Sequence, residues 1–86
     1  MNIPLFRTIQ KIQEVKTHSE LQDLGIFSLK EVSTVREMNS QGDILLVGYN
    51  IIGDLYLYEL KRVVRLKLYM LKNTEELEIH HVTIMD

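Results

Sequence analysis

Residues 44–58 read ILLVGYNIIGDLYLY, two apolar runs separated by Gly53 and Asp54. Glycine at the first central position is what a type II′ turn requires, so the pattern predicts a β-hairpin reversing at Gly53-Asp54. With Ile52 opposite Leu55, Tyr49 falls across from Tyr58, Ile51 from Tyr56 and Val47 from Leu60. Side chains alternate along a strand, so these residues share one face, which is read as core. The other face carries Leu46, Ile52, Leu55 and Leu57, interrupted by Gly48, Asn50, Glu59 and Lys61. A hairpin wet on one side would be polar there throughout. This second apolar face is therefore expected to be covered, by another element of the chain or by a second copy.

The opening segment has a different period. Leu5, Ile9 and Ile12 stand at spacings of four and three, with Val15 at the edge of the same stripe, which predicts a helix. Pro4 fits its first turn, where a missing N–H would have had no intrahelical partner. Thr17 or Ser19 is placed to cap a second short helical turn, with Glu20 or Gln22 reaching back and Gly25 ending it, after a break near His18. From Ile26 onward Ile26, Phe27 and Leu29, then Val32 and Val35, predict one or two weak strands, closed by the polar turn cluster Asn39, Ser40, Gln41 and Gly42.

After the hairpin, Val64, Leu66, Leu68 and Met70 alternate with Arg65, Lys67 and Tyr69, the pattern of a strand with one buried and one wet face. A loop at Lys72, Asn73, Thr74 and Glu75 then sets Met70 opposite Leu77, Leu68 opposite Ile79 and Leu66 opposite His81, with Tyr69 opposite Glu78 and Lys67 opposite His80. Apolar positions change face after His81, which a bulge at the histidine pair explains. The chain is thus expected to be mainly β, of α+β type. An N-terminal helical segment (1–24) packs on a five- to six-strand antiparallel meander (26–86) that forms a small barrel or a strongly bent sheet, all within one domain, 1–86.

Composition narrows the function. With 86 residues and no cysteine, the core is small and no disulfide supports it, and thiolate metal sites and thiol nucleophiles are excluded. The first residues hold no apolar run of signal-peptide length and no segment approaches a membrane helix, so a cytoplasmic protein without a membrane partner is expected. A formal net charge of -2, with acids and bases interspersed, creates no field that draws in a polyanion.

Candidate chemistry is sparse. His80 and His81 are adjacent, but on a strand they point to opposite faces, and further ligands such as His18, Glu78 or Asp86 have no recognisable metal spacing. Ser19, Ser28, Ser33 and Ser40 lie in no nucleophile elbow, and Glu75, Glu76 and Glu78 belong to a solvated loop and wet face. No Gly-rich loop runs from a strand into a helix to hold phosphate. No catalytic residue, cofactor, metal or small-molecule substrate is therefore assigned. What remains is a non-enzymatic protein–protein interaction or assembly module, self-associating as a homodimer through the apolar face Leu46, Ile52, Leu55 and Leu57, with another protein or a second copy as partner. The alternative is a small barrel that binds single-stranded nucleic acid with Arg62, Arg65, Lys67 and Tyr69, cations for phosphates and a ring for a base.

Overall fold

The computed structural model describes residues 3–85. Two short helices, α1 (Ile3–Gln13) and α2 (His18–Leu24), precede four strands: β1 (Gly25–Met38), β2 (Ile44–Leu57), β3 (Arg62–Leu71) and β4 (Leu77–Ile84). The strands form one open antiparallel sheet in the order β1-β2-β3-β4. The mainly β expectation therefore holds. Four strands in an open sheet replace the expected five or six and the barrel.

The difference arises at Gly53. This glycine and Asp54 lie in the middle of β2, where they pair with Leu29 and Ser28 on one side and with Leu66 and Arg65 on the other. No reversal occurs there. Gly53 serves close packing instead: a Cβ at this position would stand 2.2 Å from the Phe27 ring, which lies against the bare backbone. Because β2 passes straight through, alternation is not reset at Gly53. Ile51, Leu55 and Leu57 share the buried face, whereas Ile52, Asp54 and Tyr56 share the other. The expected pairs Tyr49–Tyr58 and Ile51–Tyr56 do not form. Tyr49 instead opposes Thr34 and Met70.

The reversal that joins β1 to β2 is the polar cluster before Ile44. The Asn39 side-chain oxygen accepts hydrogen bonds from the backbone N–H groups of Gln41 and Asp43, both at 2.9 Å, and Gly42 takes φ 85. Asparagine closes the turn on itself, and glycine enters the left-handed region without the usual steric cost. In the last hairpin Met70 opposes Leu77, Leu68 opposes Ile79 and Tyr69 opposes Glu78, as the sequence predicts. A bulge at His80 then shifts the register, so that Lys67 opposes His81 and Leu66 opposes Val82. That bulge is the face switch read at the histidine pair. It moves His81 off the position opposite Leu66.

The helices lie on the face of Leu55 and Leu57. Leu5, Thr8, Ile12 and Val15 are buried and Ile9 is half-buried, so the inward stripe includes a threonine that the apolar pattern omits. Its hydroxyl is satisfied within the helix, donating to the Pro4 carbonyl at 2.9 Å. Thr17 caps α2: its hydroxyl accepts from the Glu20 N–H, while the Glu20 carboxylate accepts from the Lys16 N–H and the Thr17 hydroxyl. The residues between the helices are tied to the start of β4, with the Leu77 N–H on the Lys16 carbonyl at 2.9 Å and the His18 N–H on the Glu75 carbonyl at 3.0 Å. Together these elements enclose one core of Ile12, Val15, Leu21, Ile51, Leu55, Leu57, Val64, Leu66, Leu68 and Leu77.

The core occupies one end of the molecule. β3 reaches only as far as Gly48 of β2, so beyond that point β1 and β2 continue as a two-stranded arm to the turn at 39–43. The described residues extend 55 × 20 × 18 Å with a radius of gyration of 14.7 Å, against about 12 Å for a compact chain of this length.

Candidate interaction surface

The structure separates the four residues of the expected apolar face. Leu55 and Leu57 are 0% and 1% exposed, sealed beneath the helices of their own chain, so they offer nothing to a partner. Ile52 is half-buried on the opposite face, and Leu46 is half-buried at the base of the arm. The error follows from the missing turn: a reversal at Gly53 would have placed Ile52 and Leu55 side by side, and a continuous strand places them on opposite faces.

The apolar residues left uncovered lie elsewhere. Leu29 is 58% exposed, Val32 45%, Met38 69% and Ile44 66%. The register places all four on the helix side of the sheet: Leu29 pairs with Gly53 and Val32 with buried Ile51, and Met38 and Ile44 pair with each other at the far end of the arm. Neither helix reaches that far. The result is an apolar strip along the β1–β2 ribbon, with half-buried Leu46, Val47 and Tyr49 along it. Leu45, half exposed, lies on the reverse side of the arm opposite Glu37. A readable signal for this strip exists: Met38 and Ile44 flank the polar turn at equal distance, and Leu29 and Val32 recur before it. An assignment of 26–38 as weak, broken strands hid their common face.

The opposite face of the sheet is mixed, with exposed Ile26, Tyr56, Leu45 and Leu71 beside charged residues of both signs. Asp54 and Arg65 are directly opposed, with Arg65 Nε donating to Asp54 Oδ1 at 2.9 Å and Nη2 to Oδ2 at 3.3 Å, and the Lys30 ammonium stands 4.0 Å from the same carboxylate. The hydrogen bonds from Arg65 hold the Asp54 carboxyl below its ordinary value, burial opposes this, and the charges of Arg65 and Lys30 add to the lowering. The stability this group contributes is therefore complete above about pH 4 and is lost as pH falls through the lowered folded value. Acid unfolding of the native chain is expected to be steeper below pH 4 than that of Asp54→Asn. Parallel acid titrations of the two proteins by circular dichroism check this.

The basic residues proposed for nucleic acid do not form one patch. Arg65, Lys67 and Tyr69 lie on this face, where Arg65 is engaged by Asp54 and Lys67 lines a depression together with Glu31, Ile52 and His80. Tyr69 opposes Asn50 and lays its ring over Gly48, where a Cβ would meet its hydroxyl at 2.3 Å. Arg62 pairs with Leu57 and so faces the helix side. His80 and His81 are separated by the bulge, and His80 Nε2 stands 3.8 Å from a Glu78 carboxylate oxygen. Among the described residues no three His, Cys, Asp or Glu side chains converge, and Asp86 lies outside those residues. No helix among the described residues is long and apolar enough to cross a membrane. No family model, curated protein or solved structure matches the chain.

Proposed function

We propose that this chain is a non-enzymatic protein–protein interaction module that self-associates, and that the contact surface is the β1–β2 arm rather than the residues around Gly53. The observation that carries the reading is the uncovered strip of Leu29, Val32, Met38 and Ile44, exposed by 45% or more each. These four large apolar side chains share the helix-side face with half-buried Leu46, Val47 and Tyr49, broken on β1 by exposed Thr34 and Arg36, and an apolar patch of this kind supports a contact site. The arm also lacks the burial that stabilises the rest of the chain, so coverage by a partner supplies what the chain's own helices do not.

Sedimentation equilibrium tests the proposal. The native protein is expected to increase in mean mass with concentration toward twice the monomer value. Met38→Asp/Ile44→Asp is expected to remain monomeric with an unchanged circular dichroism spectrum, because both positions face solvent in the single chain. A native protein that stays monomeric at every concentration rejects self-association.

A further inference from the structure

The two edges of the sheet differ. β4 is short, broken by the bulge at His80, packed against α1 and bonded at its start to the segment between the helices. β1 is the other terminal strand, 14 residues long, and no strand among the described residues pairs with its outer edge. A bulge at Lys30 disturbs its first half. From Glu31 to Met38 the strand carries no inserted residue of its own, since the second register shift, between Val35 and Arg36, places its extra residue, Val47, on β2. Natural sheets break or charge such edges because their free N–H and C=O groups recruit another strand.

We infer that this segment of β1 pairs antiparallel with the same segment of a second copy, about a two-fold axis passing through Val35. This inference rests on the self-association proposed above. The register follows from face and charge. Directly opposed residues in an antiparallel pair share a face, so the axis falls on a residue and not between two. An axis at Ser33 sets Lys30 against Arg36, and an axis at Thr34 sets Glu31 against Glu37, like charges in both cases. An axis at Val32 carries the Lys30 bulge into the new ladder. The axis at Val35 avoids all three faults: Val35 meets Val35 of the second copy, Val32 meets Met38, Thr34 meets Arg36 and Ser33 meets Glu37. Apolar residues oppose apolar ones, and each charge opposes a neutral hydrogen-bonding side chain. The two exposed strips then lie side by side and antiparallel on one face of a continuous sheet.

The chain contains no cysteine, so introduced thiols report this pairing alone. Val35→Cys is expected to form a disulfide-linked dimer on mild oxidation, as is the double variant Val32→Cys/Met38→Cys. These two pairs alternate between hydrogen-bonded and non-hydrogen-bonded positions, so at least one has the closer spacing that suits a disulfide. Ser33→Cys is expected to stay unlinked, because its two copies stand four residues apart, about 13 Å along the strand, beyond disulfide reach. Folding of each variant is checked by circular dichroism, and exposed Val32 and Met38 tolerate replacement if half-buried Val35 does not. If sedimentation shows a dimer and neither expected variant links, or Ser33→Cys links as readily, this register is wrong while self-association stands. A monomer at every concentration removes both.

Discussion

Leu55→Ala is expected to lower the unfolding free energy by about 4 kcal/mol, near the upper end of the range for a fully buried leucine whose surroundings relax only partly. Leu55 has no exposed surface and packs among Ile51, Leu57, Val64 and Leu66 beneath the helices, so its truncation leaves a cavity in the core that the helices and sheet enclose. A domain of this length holds roughly 5–10 kcal/mol in total. The melting temperature is accordingly expected to fall by roughly 20 °C, since each 1 kcal/mol shifts a domain of this size by about 4–8 °C. The contrast with the arm is the informative part. Met38→Ala and Ile44→Ala, at exposed positions of the single chain, are expected to leave the melting temperature of dilute protein within a few degrees of the native value. Differential scanning calorimetry across the three variants, at a concentration where the native protein is monomeric, separates core from contact surface. Equal losses at Leu55 and Met38 would show that the arm is packed within the monomer.

Much of this architecture was legible where one local rule operates without competition. The stripe of Leu5, Ile12 and Val15, the Thr17–Glu20 cap, the Asn39–Gly42 turn and the β3–β4 register from Leu77 to Ile79 each depend on residues close in sequence, and each appears in the structure as its pattern indicates, whereas beyond the bulge the expected pairs Leu66–His81 and Lys67–His80 do not form. The reading failed at Gly53, where one residue type serves two physical needs. Glycine in a type II′ turn supplies a positive φ, whereas glycine in a strand supplies room, and the requirement here is room for Phe27, a residue far away along the chain. Only the partner strand distinguishes the two. β1 is one strand of 14 residues that pairs along its length with β2, apart from a bulge on each strand, and such a strand needs a β2 of equal length, which a reversal at Gly53 would have cut short. The contact surface was misplaced for the same reason. Without the turn, Ile52 and Leu55 fall on opposite faces, and Leu29, Val32, Met38 and Ile44 share a face only because β1 is one strand.

Gly25→Ala is expected to be among the most damaging single-methyl additions the chain can receive, costing about 3 kcal/mol, because the added carbon has nowhere to go. Gly25 joins α2 to β1 in an extended conformation, φ 174, that any residue adopts, so its backbone angles do not demand glycine. Space does. A Cβ there would stand 1.9 Å from the Tyr56 carbonyl oxygen and 2.8 Å from its carbon, both backbone atoms of the neighbouring strand, and 3.2 Å from a Leu55 methyl. A side chain in the way can rotate, but a paired strand moves only by breaking its ladder, and this one also carries the core residues Leu55 and Leu57. Gly42 provides the opposite case. Its φ of 85 favours glycine, yet nothing lies within 4 Å of a Cβ built there. Gly42→Ala is therefore expected to cost only about 1 kcal/mol, and Gly42→Asn still less, since asparagine tolerates the left-handed region better than alanine. Urea unfolding of the three variants compares a penalty of crowding with a penalty of backbone angle. A Gly25→Ala protein as stable as Gly42→Asn would mean that β1 does not approach β2 at this junction as described, and the attachment of the sheet to its helices would need to be redrawn.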